Sequence, residues 1–359
     1  MLNVMAAPKS TPWQPGLIML TLDVLDDITL AAKPWGQIAV AASFLAPVYQ
    51  LPPTRTEIVF EGAENLPDDD EPVIFAMNHT DRFNYWPFQY RLWRSHTKYT
   101  TTWVKGKYYN NKLLRSFMIK TNNLAVPSRG YLITADAATV LNHAPGNHTY
   151  RILRDAIDAR ETDTRKVREE AAERGVLSEV VPILDTPRNM LGLDFEPHRQ
   201  NYLETMVELF SQMMERFVAL NEQALRLGLN ILVFPEGTRS IQLQEGKPGL
   251  AQMALRMKST VIPVGCNGSD RVYPGDSPVP RGGRIVYRIG EAMTPEGELA
   301  DFQIDEHFTP FTDQAQEQYS DRFYPMTELI MDKINALLDP RHQREEGKST
   351  AVKGAQRFL

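Results

Sequence analysis

The feature that most constrains this chain is a short apolar segment that ends abruptly in charged residues. Residues 230–234 (N-I-L-V-F) are typical of a buried strand, and the P-E-G-T-R-S that follows is typical of a loop. In an open α/β sheet, ligands bind beyond the carboxyl ends of the strands. We therefore expect Glu236, Thr238 and Arg239 at a ligand site, although a solvated turn with a Glu–Arg pair would have the same sequence.

A second segment of the same kind lies earlier in the chain. Residues 72–77 (P-V-I-F-A-M) predict another short buried strand, and N-H-T-D-R-F-N follows directly. His79 is thus expected at a strand end, as Glu236 and Arg239 are. Strands of this type between helical patterns predict an α/β fold with a mostly parallel central sheet flanked by helices.

With both motifs in view, the chain resembles the glycerolipid acyltransferases, which move a fatty acyl group from a thioester to a glycerol-phosphate hydroxyl. In that family, Asn-His followed by four residues and Asp carries the base, and Phe-Pro-Glu-Gly-Thr-Arg-Ser carries the substrate. Residues 234–240 match the second motif completely. The first motif departs at its last position, where Asn84 stands in place of Asp.

Weaker motifs follow in the order that the family has. Residues 124–130 (L-A-V-P-S-R-G) resemble the arginine-bearing strand end of the family and supply Arg129. Residues 261–264 (V-I-P-V) resemble its proline-containing strand, and Lys247 precedes a predicted helix. The resemblance spans roughly residues 55–130 and 225–295.

The chain divides into three predicted parts. Residues 1–55 form an N-terminal helical arm, residues 56–339 form the acyltransferase α/β domain, and residues 340–359 are polar and form a disordered tail. About 100 residues separate Arg129 from Glu236, which is more than one crossover helix needs. This length indicates a helical insertion at about residues 131–200.

The insertion and the remaining elements are predicted from local patterns. Residues 151–174 carry opposite charges four apart and predict one exposed helix, whereas the prolines of 178–199 predict a covering loop. A long amphipathic helix follows at 202–227. The other predictions are helices at 17–30, 84–93, 108–120, 250–257 and 323–338, strands at 56–60, 98–104 and 284–289, and an acidic turn at 68–71.

Composition excludes some classes of function. A formal net charge of −6 argues against a nucleic-acid partner, and the single Cys266 is consistent with a reducing compartment. No secretory signal is evident. Residues 34–54 are uncharged but interrupted by prolines, so we expect a short helix that either packs on the core or lies at a membrane interface.

The resemblance implies that His79 is a general base, and a histidine with an ordinary pKa of about 6.5 suits this task near neutral pH. The acceptor hydroxyl would attack the thioester directly, and no nucleophilic cysteine is required. Asn84 can orient the ring but brings no negative charge. Three hypotheses stay open: an active enzyme that uses Asn84, an active enzyme that uses Asp81 instead, and an inactive relative that only binds lipid or thioester.

Arg239 is the first candidate for binding the acceptor phosphate, because a guanidinium group can hold two phosphate oxygens. Arg129 is the second, although either arginine could instead pair with Glu236. We expect Glu236 to bind acceptor hydroxyls or to position Arg239, and Gly237 to allow close approach of the backbone. The remaining histidines lack acidic partners at metal-ligand spacing, so no metal site is predicted.

These expectations define a set of partners. The donor is acyl-CoA or acyl-ACP, which brings in an acyl carrier protein, and the acceptor is glycerol-3-phosphate or a lysophospholipid. No cofactor is expected beyond the thioester co-substrate. The predicted location is cytoplasmic, peripheral to the inner face of the membrane.

Overall fold

The computed structural model of the chain describes residues 19–67, 71–96 and 98–345. Within them, one seven-stranded sheet has the order β1-β9-β8-β2-β7-β3-β4, and β5 and β6 form a separate hairpin. The strands are β1 (Thr56–Glu61), β2 (Ile74–Met77), β3 (Thr100–Lys105), β4 (Asn123–Val126), β5 (Arg188–Met190), β6 (Leu193–Phe195), β7 (Asn230–Val233), β8 (Val261–Asn267) and β9 (Gly283–Ile289).

Neighbouring strands of the large sheet are parallel except where β8 meets β9. The central strands β2, β7 and β8 are buried along their whole length, so their sequences are continuous apolar runs rather than alternating ones. Helices flank the sheet and close three apolar clusters. The predicted α/β fold with a mostly parallel sheet is confirmed.

The helices of the described residues surround this sheet. They are α1 (Leu22–Asp26), α2 (Trp35–Val40), α3 (Ala46–Gln50), α4 (Tyr85–His96), α5 (Lys112–Lys120), α6 (Arg129–Leu141), α7 (Asn147–Asp158), α8 (Thr164–Glu173), α9 (Leu177–Asp185), α10 (Tyr202–Arg226), α11 (Gly249–Met257), α12 (Ser269–Val272) and α13 (Asp313–Ala336). No helix among the described residues is long and apolar enough to cross a membrane.

The single helix predicted at 151–174 is wrong, because the structure has two helices, α7 and α8. The chain turns between them at Arg160, whose φ is +53°, and the Asp163 side chain then caps α8 by accepting a hydrogen bond from the Arg165 amide. A carboxylate that caps a new helix stabilises a break that charge pairing alone does not reveal. Glu161 and Arg165, which are opposite charges four apart, do not pair with each other, because Glu161 bonds Lys166 and Arg165 bonds Asp163.

The loop predicted at 178–199 is also wrong, since this segment forms α9 and the hairpin of β5 and β6. Val180, Ile183 and Leu184 are buried in the core, and their burial favours a helix in spite of Pro182. The hairpin turns at Gly192, whose φ of +109° suits glycine.

The ends of the described chain differ from the predictions too. Of the helix predicted at 17–30, only α1 is helical, and residues 17 and 18 lie outside the described residues. Residues 68–70 of the predicted acidic turn also lie outside them. Helix α13 begins ten residues before the predicted 323. Residues 340–345, predicted to be disordered, pack against the protein through the buried His342, and residues 346–359 are not among those described.

The uncharged segment at 34–54 forms α2, a π-helical turn and α3 in succession. One side packs on the core through Ala41, Leu45 and Tyr49, while Trp35 on the same segment is 62% exposed. The expectation that this segment packs on the core agrees with these contacts. Its contact with a membrane stays a prediction.

The strand order brings the carboxyl ends of β2, β7 and β3 side by side. Asn78, the first residue after β2, ties this edge together, because its Nδ2 donates to the Cys266 carbonyl at 3.0 Å and its Oδ1 accepts from the Cys266 amide at 2.7 Å. The side chain thus continues the pairing of β2 with β8 beyond the last paired backbone residues.

Asn78→Ala is expected to destabilise the protein. It leaves the buried amide and carbonyl of Cys266 without these partners, at a cost of about 1–3 kcal/mol for each group. Chemical denaturation should show a loss of about 2–4 kcal/mol in the free energy of unfolding. The matched control is Asn189→Ala, which also removes two hydrogen bonds, but at an exposed hairpin where water replaces them. Equal losses in the two variants would contradict this role of Asn78.

Candidate active site

The backbone of His79 is held by the loop that follows β7. The His79 amide donates to Oε1 of Glu236 at 2.7 Å, and the His79 carbonyl accepts from the Ser240 amide at 2.8 Å. The imidazole ring stacks on Phe234, with ring centroids 4.1 Å apart and 18° between the planes. The two motifs predicted from the sequence therefore meet in one site, and the second fixes the position of the first.

The side chain of Asn84 fixes the tautomer of His79. Its Nδ2 donates to the Asn78 carbonyl at 2.8 Å, which turns Oδ1 toward Nδ1 of His79 at 3.1 Å. Because this amide oxygen can only accept, Nδ1 must carry the ring proton. Nε2 then has the lone pair that a general base needs, so Asn84 performs the orienting part of the task expected of an aspartate.

Asp81 is not the partner of His79. Its oxygens accept hydrogen bonds from the Phe83 amide at 2.8 Å and from the Thr80 hydroxyl at 3.0 Å, and burial raises its pKa. These contacts shape the turn between β2 and α4. These contacts, together with the bond between His79 Nδ1 and Asn84 Oδ1, favour Asn84 over Asp81 as the orienting partner of the ring.

The surroundings of His79 favour the neutral ring. Desolvation lowers the pKa of His79 to about 3, and the charges of Lys105 and Arg239 act in the same direction. The hydrogen bond with Asn84 opposes this shift. At neutral pH the ring is therefore uncharged and ready to accept a proton, but its basicity is low, chiefly because the ring is buried.

Glu236 lies inside the loop rather than on its open side. It is 2% exposed, and its second oxygen accepts from the Gln244 amide at 2.9 Å. Burial raises its pKa to about 8 in spite of these two amide donors. With one oxygen on His79 and the other on Gln244, Glu236 holds the loop in shape. This geometry favours the positioning role over direct contact with acceptor hydroxyls.

The open side of the loop carries Gly237, Thr238 and Arg239. Gly237 is exposed and has a φ of +64°, and a Cβ there would lie 3.2 Å from Nζ of Lys247. Thr238 is half-buried and Arg239 is exposed. The predicted residues of this motif are thus divided, with the acid turned inward and the arginine turned outward.

Cations from two other segments lie near Arg239. Arg239 and Arg82 both approach the carboxylate of Asp276, and the charges of both arginines, after desolvation, lower the pKa of Lys107. Lys105 acts on His79 in the same way. Sequence reasoning missed Arg82, Lys105 and Lys107. The available signal was their position: Arg82 lies inside the His79 motif, Lys105 is the last residue of β3, which neighbours β7, and Lys107 follows it.

Arg129 belongs to a different part of the structure. Its guanidinium group pairs with Asp158 at 3.1 Å and with Asp313 at 2.5 Å, and it lies over the ring of Phe210. It joins α6 to α7 and α13. The structure therefore gives Arg129 a packing role with these aspartates and not with Glu236.

Comparisons with known proteins give a limited result. Residues 201–267 match the family model described as Acyltransferase. The match includes α10, β7, the loop with Glu236 and Arg239, and β8, whereas His79 lies outside it. The sequence has no significant match among curated proteins.

One solved structure with a similar chain path is the crystal structure of the 1-acyl-sn-glycerophosphate (LPA) acyltransferase PlsC from Thermotoga maritima. Its TM-score is 0.35 at 13% sequence identity, over 82% of this chain and 79% of that chain. A similarity at this level carries no argument for the site. What is established is an α/β fold in which residues 201–267 are similar to the Acyltransferase family model.

Asn84→Asp is expected to raise the pKa of His79, because an adjacent negative charge stabilises the imidazolium. The chemical shifts of the His79 ring protons, followed by NMR between pH 5 and 8, should not change with pH in the wild type and should change in the variant. In Asp81→Asn they should stay as in the wild type. A wild-type ring that titrates near pH 6.5 would contradict the account of its environment.

Proposed function

We propose that this protein is a glycerolipid O-acyltransferase with His79 as its general base. One observation carries the proposal: a neutral histidine, with its Nδ1 proton held by Asn84, lies beside a cluster of cations at the carboxyl ends of three strands. A base next to an anion site is what acyl transfer to a phosphate-bearing alcohol requires. The acyltransferase segment at 201–267 supports the same conclusion.

In the proposed reaction, the acceptor hydroxyl attacks the carbonyl carbon of the thioester while Nε2 of His79 takes the hydroxyl proton. A carbon–oxygen bond forms and the carbon–sulfur bond breaks. The imidazolium then returns the proton to the departing thiolate. Protonation and deprotonation are thus balanced on one ring, and His79 is neutral again at the end.

The acceptor offsets the smaller part of the low basicity of the base. Burial is the larger cause, and the charges of Lys105 and Arg239 add to it. Phosphate bound by Arg239 and Arg82 brings negative charge to these cations, so we expect the pKa of His79 to rise when the acceptor binds, as it would with an aspartate at position 84. The base is then stronger when the substrate is present.

The proposed substrates are those that the resemblance implies. The donor is acyl-CoA or acyl-ACP, and the acceptor is glycerol-3-phosphate or a lysophospholipid, with Arg239 and Arg82 on its phosphate. No further cofactor enters the reaction.

The proposed location is the cytoplasmic face of a membrane, which the protein would touch through α2, α3 and their neighbours. Trp35 and Leu51 at the two ends of this uncharged segment are 62% and 59% exposed, and Lys120 lies over the Trp35 ring. Aromatic and apolar side chains next to a lysine suit the interface of an anionic bilayer.

A second candidate function is favoured by Asn84. Without a carboxylate the imidazolium is less stable, and the same site would bind an acyl thioester or a lipid phosphate without turnover. This inactive relative would show ligand binding with no release of thiol.

Thiol release from acyl-CoA and acyl-ACP, with glycerol-3-phosphate or lysophosphatidic acid as acceptor, tests the proposal. His79→Ala should lower turnover about 10²–10⁴-fold, the usual contribution of a general base. The matched control is His143→Ala, which removes an exposed histidine whose ring bonds only the Ala144 carbonyl.

Two further variants separate the hypotheses. Asn84→Asp should retain or raise turnover and shift the acid limb of the rate upward in pH, because the base has a higher pKa. Wild-type protein that binds the donor but releases no thiol, together with an active Asn84→Asp variant, would favour the inactive relative. Turnover that survives in His79→Ala would remove His79 from the reaction.

A further inference from the structure

The loop that follows β7 reaches the candidate site through two backbone amides. The Ser240 amide donates to the His79 carbonyl at 2.8 Å. The Gln244 amide donates to Oε2 of Glu236 at 2.9 Å, and the other oxygen of Glu236 accepts from the His79 amide. Only residues 241–243 separate Ser240 from Gln244, so any contact that fixes this short stretch also fixes both hydrogen bonds to the site.

His342, from the segment after α13, binds this short stretch twice. Nδ1 of His342 lies 2.7 Å from the Ile241 carbonyl oxygen, and the His342 carbonyl accepts from the Leu243 amide at 2.9 Å. Because a carbonyl oxygen can only accept, Nδ1 must carry a proton. His342 is 2% exposed, so bulk water cannot replace either hydrogen bond at low cost. The loop is therefore held between its two contacts with the site.

The segment that carries His342 is fixed to the body of the fold by contacts outside the loop. The Asp339 amide donates at 2.7 Å to Oδ1 of Asn267, which is the last residue of β8. Arg341 pairs with Asp270 of α12. These contacts order a polar segment whose sequence predicts disorder, and they give His342 a fixed place from which to hold the loop.

The same segment also acts on Glu236 through charge. Burial raises the pKa of Glu236 to about 8, its two amide donors oppose this shift, and the positive charge of Arg344 opposes it further. Arg344 is held on α13, where its Nη1 lies 3.0 Å from Glu328. The segment after α13 therefore bears on the loop through hydrogen bonds and on the buried acid of the loop through charge.

We propose that His342 is a positioning residue for His79, which it holds in its reactive place through residues 240–244. This inference rests on the proposed function, since it names a residue that the reaction at His79 needs. His342 takes no part in proton transfer and acts only through the loop. Arg239 directly precedes Ser240, so loss of this hold should displace the phosphate-binding arginine together with the base.

Two substitutions of His342 separate positioning from a general loss of stability. Alanine removes the hydrogen bond to the Ile241 carbonyl, whereas the side-chain amide nitrogen of asparagine can donate in place of Nδ1. In the thiol-release assay, His342→Ala should lower kcat about 10–100-fold, because a displacement of about 1 Å in an active site can have an effect of this size. His342→Asn should restore most of this loss. Both values are measured per folded molecule, well below the unfolding temperature.

Asn221→Ala is the matched control for lost stability. It also removes two buried hydrogen bonds, one from Nε1 of Trp103 and one to the Phe217 carbonyl, and neither partner belongs to residues 240–244. Its kcat per folded molecule should equal that of the wild type. An equal loss of kcat in Asn221→Ala and His342→Ala would attribute the effect to stability and overturn the inference. An asparagine variant at position 342 that is no more active than the alanine variant would also overturn it.

Hydrogen exchange at single-residue resolution tests the hold on the loop without any substrate. The Ser240 and Gln244 amides should exchange about 10-fold or more faster in His342→Ala, because they open with the loop and not with the whole fold. The Ile231 amide, which is bonded to the Val73 carbonyl within the sheet, serves as the reference for global opening. Amides of the loop that keep their wild-type rate relative to Ile231 would contradict the role of His342.

The two readouts let the two proposals fail separately. Faster exchange of the loop amides in His342→Ala, in a protein that releases no thiol, would support the hold of His342 on the loop and count against acyl transfer. Thiol release by the wild type, with kcat unchanged in His342→Ala, would support acyl transfer and overturn the positioning role.

Discussion

The hydrogen bond from the His79 amide to the buried Glu236 carboxyl group is the contact on which the site depends. It joins the ends of two neighbouring strands, and the Ser240 amide closes the same loop on the His79 carbonyl. Asn78 adds a third tie from the adjacent β8. The histidine is thus placed through its backbone groups at the edge of the sheet, while its ring contacts Phe234 and Asn84.

The electrostatics of the site follow from this placement. A desolvated ring beside Arg239 and Lys105 is neutral, and Asn84 adds orientation without charge. In the proposed reaction, part of the negative charge that an aspartate would supply comes from the acceptor. The phosphate that positions the acceptor would then also make His79 a better base. The carboxylate of Asp276 lies near Arg82 and Arg239, so it also offsets part of their positive charge.

The central fold could be predicted because strands buried on both faces have continuous apolar sequences, as β2 and β7 do. The sequence could predict only that His79 and Glu236 lie near each other, because both follow parallel strands. Which oxygen meets which amide depends on the turn at Asp81 and on the loop to Gln244, and neither has a sequence pattern of its own. The helices α8 and α9 were mispredicted because a capping Asp163 and the burial of Ile183 override charge spacing and prolines. Asp276 comes from a distant loop, so no local signal connects it with Arg82.

The tautomer of His79 is the most direct test of this account, and ¹⁵N NMR of the imidazole ring measures it. At neutral pH without ligand, Nδ1 should have the shift of a protonated nitrogen and Nε2 that of an unprotonated one. Glycerol-3-phosphate should raise the pH at which Nε2 becomes protonated on acidification, with Nδ1 protonated throughout. A ring protonated on Nε2 at neutral pH without ligand, or a midpoint that is the same with and without the acceptor, would contradict the central claim.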